Sequence, residues 1–264
     1  MIKSIHQSMI NMASRCGEQF RRRYIEGEII LPSIAAARGT SVHTASEVNL
    51  TYKVVNQVDM PLNDLKDATR DGYIDVIKDG IFLSKGEQPS KKSLLNNGLN
   101  DALRCTEIYH QYVAPQINPI AVEQSFKIDI GLDLPIAGRI DYQEQPIIGD
   151  LKTAARAWPK GKIFQELQPI FYSLAHEKLV GIRPEFVYNI LIAPRNKEGK
   201  PTTAKYDEQR RVVTDQDYQM LIARIKVFLK MLKAGIFLPA DPSGWICSSK
   251  WCGYYQTCPY KKGN

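Results

Sequence analysis

At Ala121 the spacing of apolar residues along this chain changes from helical to alternating. Val122, Phe126, Ile128 and Ile130 interleave with Glu123, Lys127 and Asp129, the pattern of a half-buried strand with Glu123 on its polar face, read as an exposed glutamate, with reach into a nearby site as the alternative. Residues 134–142 and 146–153 predict two more strands. Turn-forming residues around Gly131 and at Gln143, Glu144 and Gln145 predict antiparallel neighbours. Upstream the pattern is helical. Ile10, Met12 and Phe20 predict an opening helix that contains Cys16 and carries Arg21, Arg22 and Arg23 on its polar face. Pro32 breaks it, and residues 35–50 predict a second helix. Residues 61–114 read as mostly helical, with a loop rich in Gly, Pro, Ser and Lys at 85–93 and an amphipathic helix at 100–113. Downstream come a helix at 162–180, a strand at 185–193, a loop at 195–205 and a short strand at 211–213. A last helix is opened by Thr214 or Asp215, has Leu221, Ile225 and Phe228 at core spacing, and is closed by Gly235. This order predicts an α/β fold with a mixed sheet.

Length and composition bound that picture. The chain has 264 residues, 44% of them hydrophobic and 24% charged, enough for one substantial core and too apolar for a disordered segment. No apolar run is long enough to span a bilayer, so no membrane partner is expected. The first residues lack a signal-peptide core, which gives a cytoplasmic expectation. The formal charge of +7 and pI near 9.0 point to a polyanionic partner. Basic residues cluster at Arg21–Arg23, at Lys91 and Lys92, and at Lys160 with Lys162, although a solvated basic surface explains any one cluster equally well.

Candidate chemistry concentrates in two places. Asp150 and Lys152 lie two apart on a predicted strand and so share a face, while Ile147, Gly149 and Leu151 face the other way. Asp141 ends the apolar run just before them. Two carboxylates and a lysine converging at a sheet edge can hold Mg²⁺ or Mn²⁺ and position a water for attack on a phosphodiester. His43 and Glu47 are four apart on the second predicted helix, as Gln168 and Tyr172 are on a later one, so each pair shares a face. The second place is C-terminal, where three of the five cysteines, Cys247, Cys252 and Cys258, fall within one short segment. An odd total without a secretory signal argues against a disulfide framework and for metal binding, with a fourth ligand still to find. Cys105, on an amphipathic helix, reads as a buried thiol.

With those motifs in that order, the chain resembles the PD-(D/E)XK nuclease superfamily over nearly its whole length. The closer likeness is to the RecB-like branch that carries an iron–sulfur cluster, which includes CRISPR-associated, AddB-type and phage relatives. Five pieces carry it: Cys16 ahead of Phe20 and Tyr24; Gly39-Thr40-Ser41-Val42-His43 followed by Glu47; Gly138-Arg139-Ile140-Asp141 with Asp150-Leu151-Lys152-Thr153; Gln168 and Tyr172; and the three C-terminal cysteines. Four residues separate Cys247 from Cys252, where that branch commonly has two.

The resemblance implies a restriction-endonuclease-like core and roles for particular residues. His43, Asp141, Asp150 and the Leu151 carbonyl would hold Mg²⁺ or Mn²⁺. Lys152 would orient the attacking water or stabilise developing charge, and Gln168 and Tyr172 would line the groove and contact DNA. Cys16 joins Cys247, Cys252 and Cys258 as a four-thiolate set; a 4Fe–4S cluster and a structural Zn²⁺ both satisfy such a set, and the resemblance implies the cluster. Trp245, Trp251, Tyr254, Tyr255 and Tyr260 are expected to shield it, with base stacking on single-stranded DNA as the alternative. One domain, 1–264, is expected: N-terminal helices at 1–60, a helical insertion at 61–118, a nuclease core at 119–240 and a cysteine-rich cap at 241–264. The implied activity is a DNA exonuclease acting on single strands or ends in recombination, repair or phage- or CRISPR-related processing. The alternative is a non-catalytic DNA-binding or scaffold subunit that keeps the fold and the thiolate site, since fold does not fix function.

Overall fold

The protein is described from a computed structural model covering residues 2–84 and 86–262. Lys85, where the predicted 85–93 loop begins, and the extremes of the predicted 1–264 domain lie outside the described residues. Five strands form one sheet in sequential order: β1 (Ala121–Ile128), β2 (Ile136–Gln143), β3 (Ile147–Ala154), β4 (Glu185–Ile192) and β5 (Lys205–Val212). β3 and β4 run parallel and every other neighbouring pair is antiparallel, so the sheet is mixed and the fold is α/β, consistent with a restriction-endonuclease-like core.

Helices cover both faces. One core packs α1 (Gln7–Arg15), α2 (Gly17–Phe20), α6 (Leu167–Val180) and α7 (Asp215–Ala234) against Ile148, Phe186, Tyr188, Ile190 and Ile192. The other packs α3 (Ile34–Asn56), α4 (Leu62–Ile77) and α5 (Lys91–Ile108) against Tyr142, Leu151, Leu191 and Ala193. β4 alternates between the two and is buried on both sides, which explains its nearly unbroken apolar run. Cys105 lies in the second core, where burial pushes its thiol up to about 12.

The helix ends follow local chemistry. Ser33 caps α3 by accepting from the Ala36 N–H at 3.2 Å, Thr214 and Asp217 form a capping box on α7, and Gly235 closes α7 in the left-handed region. Several predicted boundaries move. α3 runs to Asn56, α5 begins at Lys91 rather than residue 100, and β5 begins at Lys205 rather than 211. The helix predicted at 162–180 is broken at Glu166, whose backbone is extended, leaving a short 3-10 turn before α6.

The opening helix is also broken, and at Cys16. This residue is extended because the C-terminal segment passes against Gly17. The Gly17 N–H donates to the Leu238 carbonyl at 2.6 Å, and a Cβ on Gly17 would lie 2.6 Å from Leu238 backbone. Arg22 is not on a polar face as predicted. It is buried, bonded to Glu28, to the Thr257 hydroxyl at 2.7 Å and to the Tyr254 carbonyl, with its guanidinium 5.0 Å from the Tyr254 ring centre. Arg21 is ion-paired with Glu18 and Glu26. Two of the three arginines thus tie the N-terminal helices together or to the cap instead of offering free charge to a partner.

Candidate functional site

Sheet register puts three carboxylates in one transverse row. β1 and β2 pair as Val122 with Tyr142 and Gln124 with Ile140, which sets Glu123 opposite Asp141. β2 and β3 pair only as Tyr142 with Gly149 and Gln143 with Ile148, and one more step sets Asp141 opposite Asp150. The regular ladder lapses at both carboxylate pairings, where like charges face each other. Glu123 takes a left-handed backbone, φ 50°, a costly conformation for a residue with a Cβ. At the second lapse the Asp141 side chain substitutes for a backbone acceptor, its Oδ2 receiving the Leu151 N–H at 3.2 Å.

α3 and α6 complete the cleft, which has a volume of about 520 Å³. From α3 come Gly39, Thr40, His43 and Glu47; from α6 come Gln168 and Tyr172. His43 Nδ1 stands 3.1 Å from Asp141 Oδ2. Gln168 donates its amide to Asp150 Oδ1 and accepts from the Tyr188 hydroxyl at 3.2 Å, so its orientation is fixed from both ends. Lys152 Nζ lies 2.6 Å from Asp150 Oδ2 and 5.3 Å from the Tyr188 ring centre. Asp150 is the deepest of these groups, its side chain 3% exposed. Its Oδ2 has the lysine as an ion-pair neighbour but accepts no well-directed hydrogen bond from any described residue. Tyr172 packs edge-on against Phe126, in space left by the missing side chain of Gly138.

Electrostatics follow from burial and crowding. Burial, and then the Asp141 charge, hold Asp150 above the usual carboxylate range, against the pull of Lys152 and His43. Burial would also raise Asp141, but the His43 hydrogen bond and charge outweigh it and leave Asp141 low. For His43 burial acts downward, and the hydrogen bond and charge of Asp141 reverse it, leaving the imidazole raised. Glu123 is pushed up to about 7 by burial and by Asp141, with Arg139 opposing. A site that concentrates carboxylates and raises two of them is chemically suited to a hard cation.

The structure thus brings His43, Asp141, Asp150, Lys152, Gln168 and Tyr172 together, as the resemblance implied, and Leu151 meets Asp141 through its N–H, whereas the resemblance implied a role for its carbonyl. Glu123 departs from expectation. Predicted as an exposed strand glutamate, it lines the cleft and pairs with Arg139. Alternation alone put it on the polar side; the missing signal was register, which places it beside Asp141.

Across the molecule, Cys16, Cys247, Cys252 and Cys258 line one enclosed cavity of about 20 Å³. The Ala240 N–H donates to Cys16 Sγ at 3.3 Å, and Gln19 donates to Cys252 Sγ at 3.1 Å. Burial, then the neighbouring thiols, push Cys247 up, as expected where sulfurs that cannot all ionise together are gathered. Tyr254, Tyr255 and Tyr260 line this cavity as expected. Trp245 and Trp251 do not; they are 67% and 57% exposed. Among the described residues no three His, Cys, Asp or Glu side chains are gathered in a way that could hold a metal ion as they stand. No described helix is long and apolar enough to cross a membrane.

No family model and no curated protein matches the chain. Among solved structures it is similar to the crystal structure of a putative exonuclease from Eubacterium rectale, at 13% identity and TM-score 0.53, over 90% of this chain and 84% of that one. A second solved structure, SSO0001, aligns at 12% identity and TM-score 0.45 over 99% of this chain and 88% of that one, a likeness too weak to bear on function. At such identity the first likeness is one of fold alone, an α/β core with a mixed sheet.

Proposed function

We propose that this chain is a metal-dependent deoxyribonuclease, an exonuclease acting on single strands or DNA ends. The observation that carries the reading is the row Glu123, Asp141, Asp150, with the Lys152 ammonium 2.6 Å from the buried Oδ2 of its deepest member. A fold shared with a protein described as an exonuclease adds weak support. In this reading His43, Asp141, Asp150 and the Leu151 carbonyl would hold Mg²⁺ or Mn²⁺, which would supply an activated water and a polarised phosphate.

The chain's own residues do the rest. Gln168 fixes the Asp150 carboxylate in one orientation. His43, charged more readily beside Asp141, offsets the negative row when no cation is bound. Lys152, its side chain 28% exposed, can turn from Asp150 toward the non-bridging phosphate oxygens and stabilise charge that grows during attack. Tyr172 and Thr40 form cleft walls against which a strand can lie. Basic surface draws in the backbone without sequence preference.

Cys16, Cys247, Cys252 and Cys258 are proposed to bind one four-thiolate group that staples the cap to the N-terminal helices. Family resemblance supports a 4Fe–4S cluster. The small cavity, with room for about one water-sized group, supports the single-ion alternative, Zn²⁺. Iron, sulfide and zinc analysis of purified protein separates the two.

The deciding experiment for the enzyme is digestion of end-labelled single- and double-stranded DNA with Mg²⁺, Mn²⁺ or EDTA, beside Asp150→Ala and Lys152→Ala. Metal-dependent cleavage lost in both variants is the expected result, and the labelled end gives polarity. DNA bound but uncut by folded, metal-loaded protein would overturn it in favour of a non-catalytic DNA-binding subunit.

A further inference from the structure

Two of the three tryptophans in this chain stand on the surface of the cysteine-rich cap, where neither core packing nor cavity lining accounts for them. Trp245 and Trp251 meet edge to face, ring centres 5.6 Å apart, and both remain more than half exposed. Lys250 Nζ sits 5.5 Å from the Trp251 ring centre. Trp251 and Lys250 also form one wall of a groove of about 340 Å³, whose other walls are Phe82, Leu83 and the first turn of α3 with Arg38. α3 leads directly from there to the cleft. Ala35 belongs to the groove, Ala36, Gly39 and Thr40 to the cleft, and His43 lies about 13 Å from the start of the helix at 1.5 Å per residue.

The occupant follows from charge and continuity. Residues 241–264 contain three lysines, Lys250, Lys261 and Lys262, against the single carboxylate side chain of Asp241. Among the described residues one acidic side chain lines the groove, Glu87, which the Ser84 hydroxyl and N–H keep ionised and whose charge is offset by Lys250. An exposed aromatic pair in a basic setting, beside a groove whose Ala35 wall lies one helical turn from the cleft residue Gly39, fits unpaired bases with their phosphates.

We infer that Trp251 and Trp245 form a base-stacking platform for single-stranded nucleic acid, feeding one strand along α3 into the cleft. The inference rests on the nuclease reading of that cleft. It adds a source of strand selectivity, because bases inside a duplex are already stacked on one another and cannot offer their faces to these rings. Stacking tolerates any base, so the platform selects for an unpaired strand and not for a sequence.

The test is equilibrium binding in EDTA, which removes cleavage, using a fluorescently labelled oligo-dT strand and a blunt duplex of equal length. Unchanged protein is compared with Trp251→Ala, Trp245→Ala and the double variant. Intrinsic tryptophan fluorescence is followed in a Trp158→Phe background so that only the cap rings report. Expected are quenching by oligo-dT, single-strand affinity weaker on the order of 10-fold for Trp251→Ala, and duplex affinity changed less than about 2-fold. Trp251→Phe, which keeps a ring, should recover most of the loss. Because both rings are exposed, circular dichroism should report unchanged folding; if an alanine variant unfolds, the quenching measurement and the phenylalanine variant still decide. Equal losses for strand and duplex, or no quenching, overturn the platform, and so would rings protected only by a protein partner. Quenching by oligo-dT in a protein that cuts nothing with Mg²⁺ or Mn²⁺ would keep the platform and remove the nuclease. Cleavage with tryptophan-independent binding would do the reverse.

Discussion

Adding one methyl group at Gly149 should unsettle this protein more than many changes in its larger cores. Gly149 pairs with Tyr142 across β2 and β3, and the tyrosine ring lies over it. A Cβ on Gly149 would fall 1.9 Å from Tyr142 Cζ and 2.0 Å from its hydroxyl oxygen, far inside van der Waals contact. The ring has little room to retreat. Tyr142 is buried, its hydroxyl accepts from Asn189 at 2.6 Å, and Asn189 in turn accepts from Tyr206 at 2.8 Å. Overpacking a well-filled site costs about 1–3 kcal/mol, and a rigid ring held at its tip puts Gly149→Ala at the upper end, about 3 kcal/mol. For a chain of this size that is a fall in Tm of roughly 6–12 °C. Thermal and urea melts of Gly149→Ala, Tyr142→Ala and the double variant form the assay. If the clash is the cause, Gly149→Ala costs less than about 1 kcal/mol once the ring is gone. A full penalty in the Tyr142→Ala background would refute the steric explanation.

Other consequences follow from the same geometry. Asp150→Asn keeps an acceptor for Gln168 while removing a buried charge, so it should raise the Tm of protein in EDTA by roughly 1 kcal/mol equivalent and abolish cleavage; a lower Tm would show that the Lys152 ion pair outweighs desolvation. Glu123 binds its proton more tightly in the folded state than in the unfolded one, about 7 against an ordinary 4.5, so its contribution is fully present below 4.5 and is lost as pH rises through about 7. Metal-free Tm measured from pH 5 to 8 should therefore decline less in Glu123→Gln than in the unchanged protein, and parallel declines would remove Glu123 as the cause. Arg22→Gln should cost about 2 kcal/mol and expose the cap to limited proteolysis, since it cuts the bonds to Thr257 and the Tyr254 carbonyl together; an intact cap would show that the cysteines suffice to hold it.

Much of this architecture was legible in the apolar pattern. The switch from helical to alternating spacing at Ala121 located the sheet, and the strand expected at 185–193 stands as β4, whose burial on both faces the structure adds. The two-residue and four-residue spacings that pair Asp150 with Lys152 and Gln168 with Tyr172 survive folding unchanged, while the convergence of these pairs on Asp141 was implied only by the resemblance. What escaped depended on contacts distant in sequence. Periodicity sees only one segment at a time, so Arg22 looked exposed although its partners lie more than two hundred residues away. The break at Cys16 has the same origin, in the passage of Leu238 beside Gly17. Glu123 was misjudged because a strand's polar face was equated with solvent, when the neighbouring strand makes that face the floor of a cleft.

The lapse in the ladder between β2 and β3 also gives the site a reporter of its own. Most sheet amides are protected by backbone carbonyls and exchange with solvent only when the sheet opens. The Leu151 amide instead depends on Asp141, a side chain whose charge and orientation answer to whatever enters the cleft. Its hydrogen-exchange rate should shift when Asp141 is protonated or drawn toward a cation, while Ile148 and Gly149, in the intact part of the ladder, stay unchanged. One backbone resonance could thus read the occupancy of the cleft with no substrate, label or turnover.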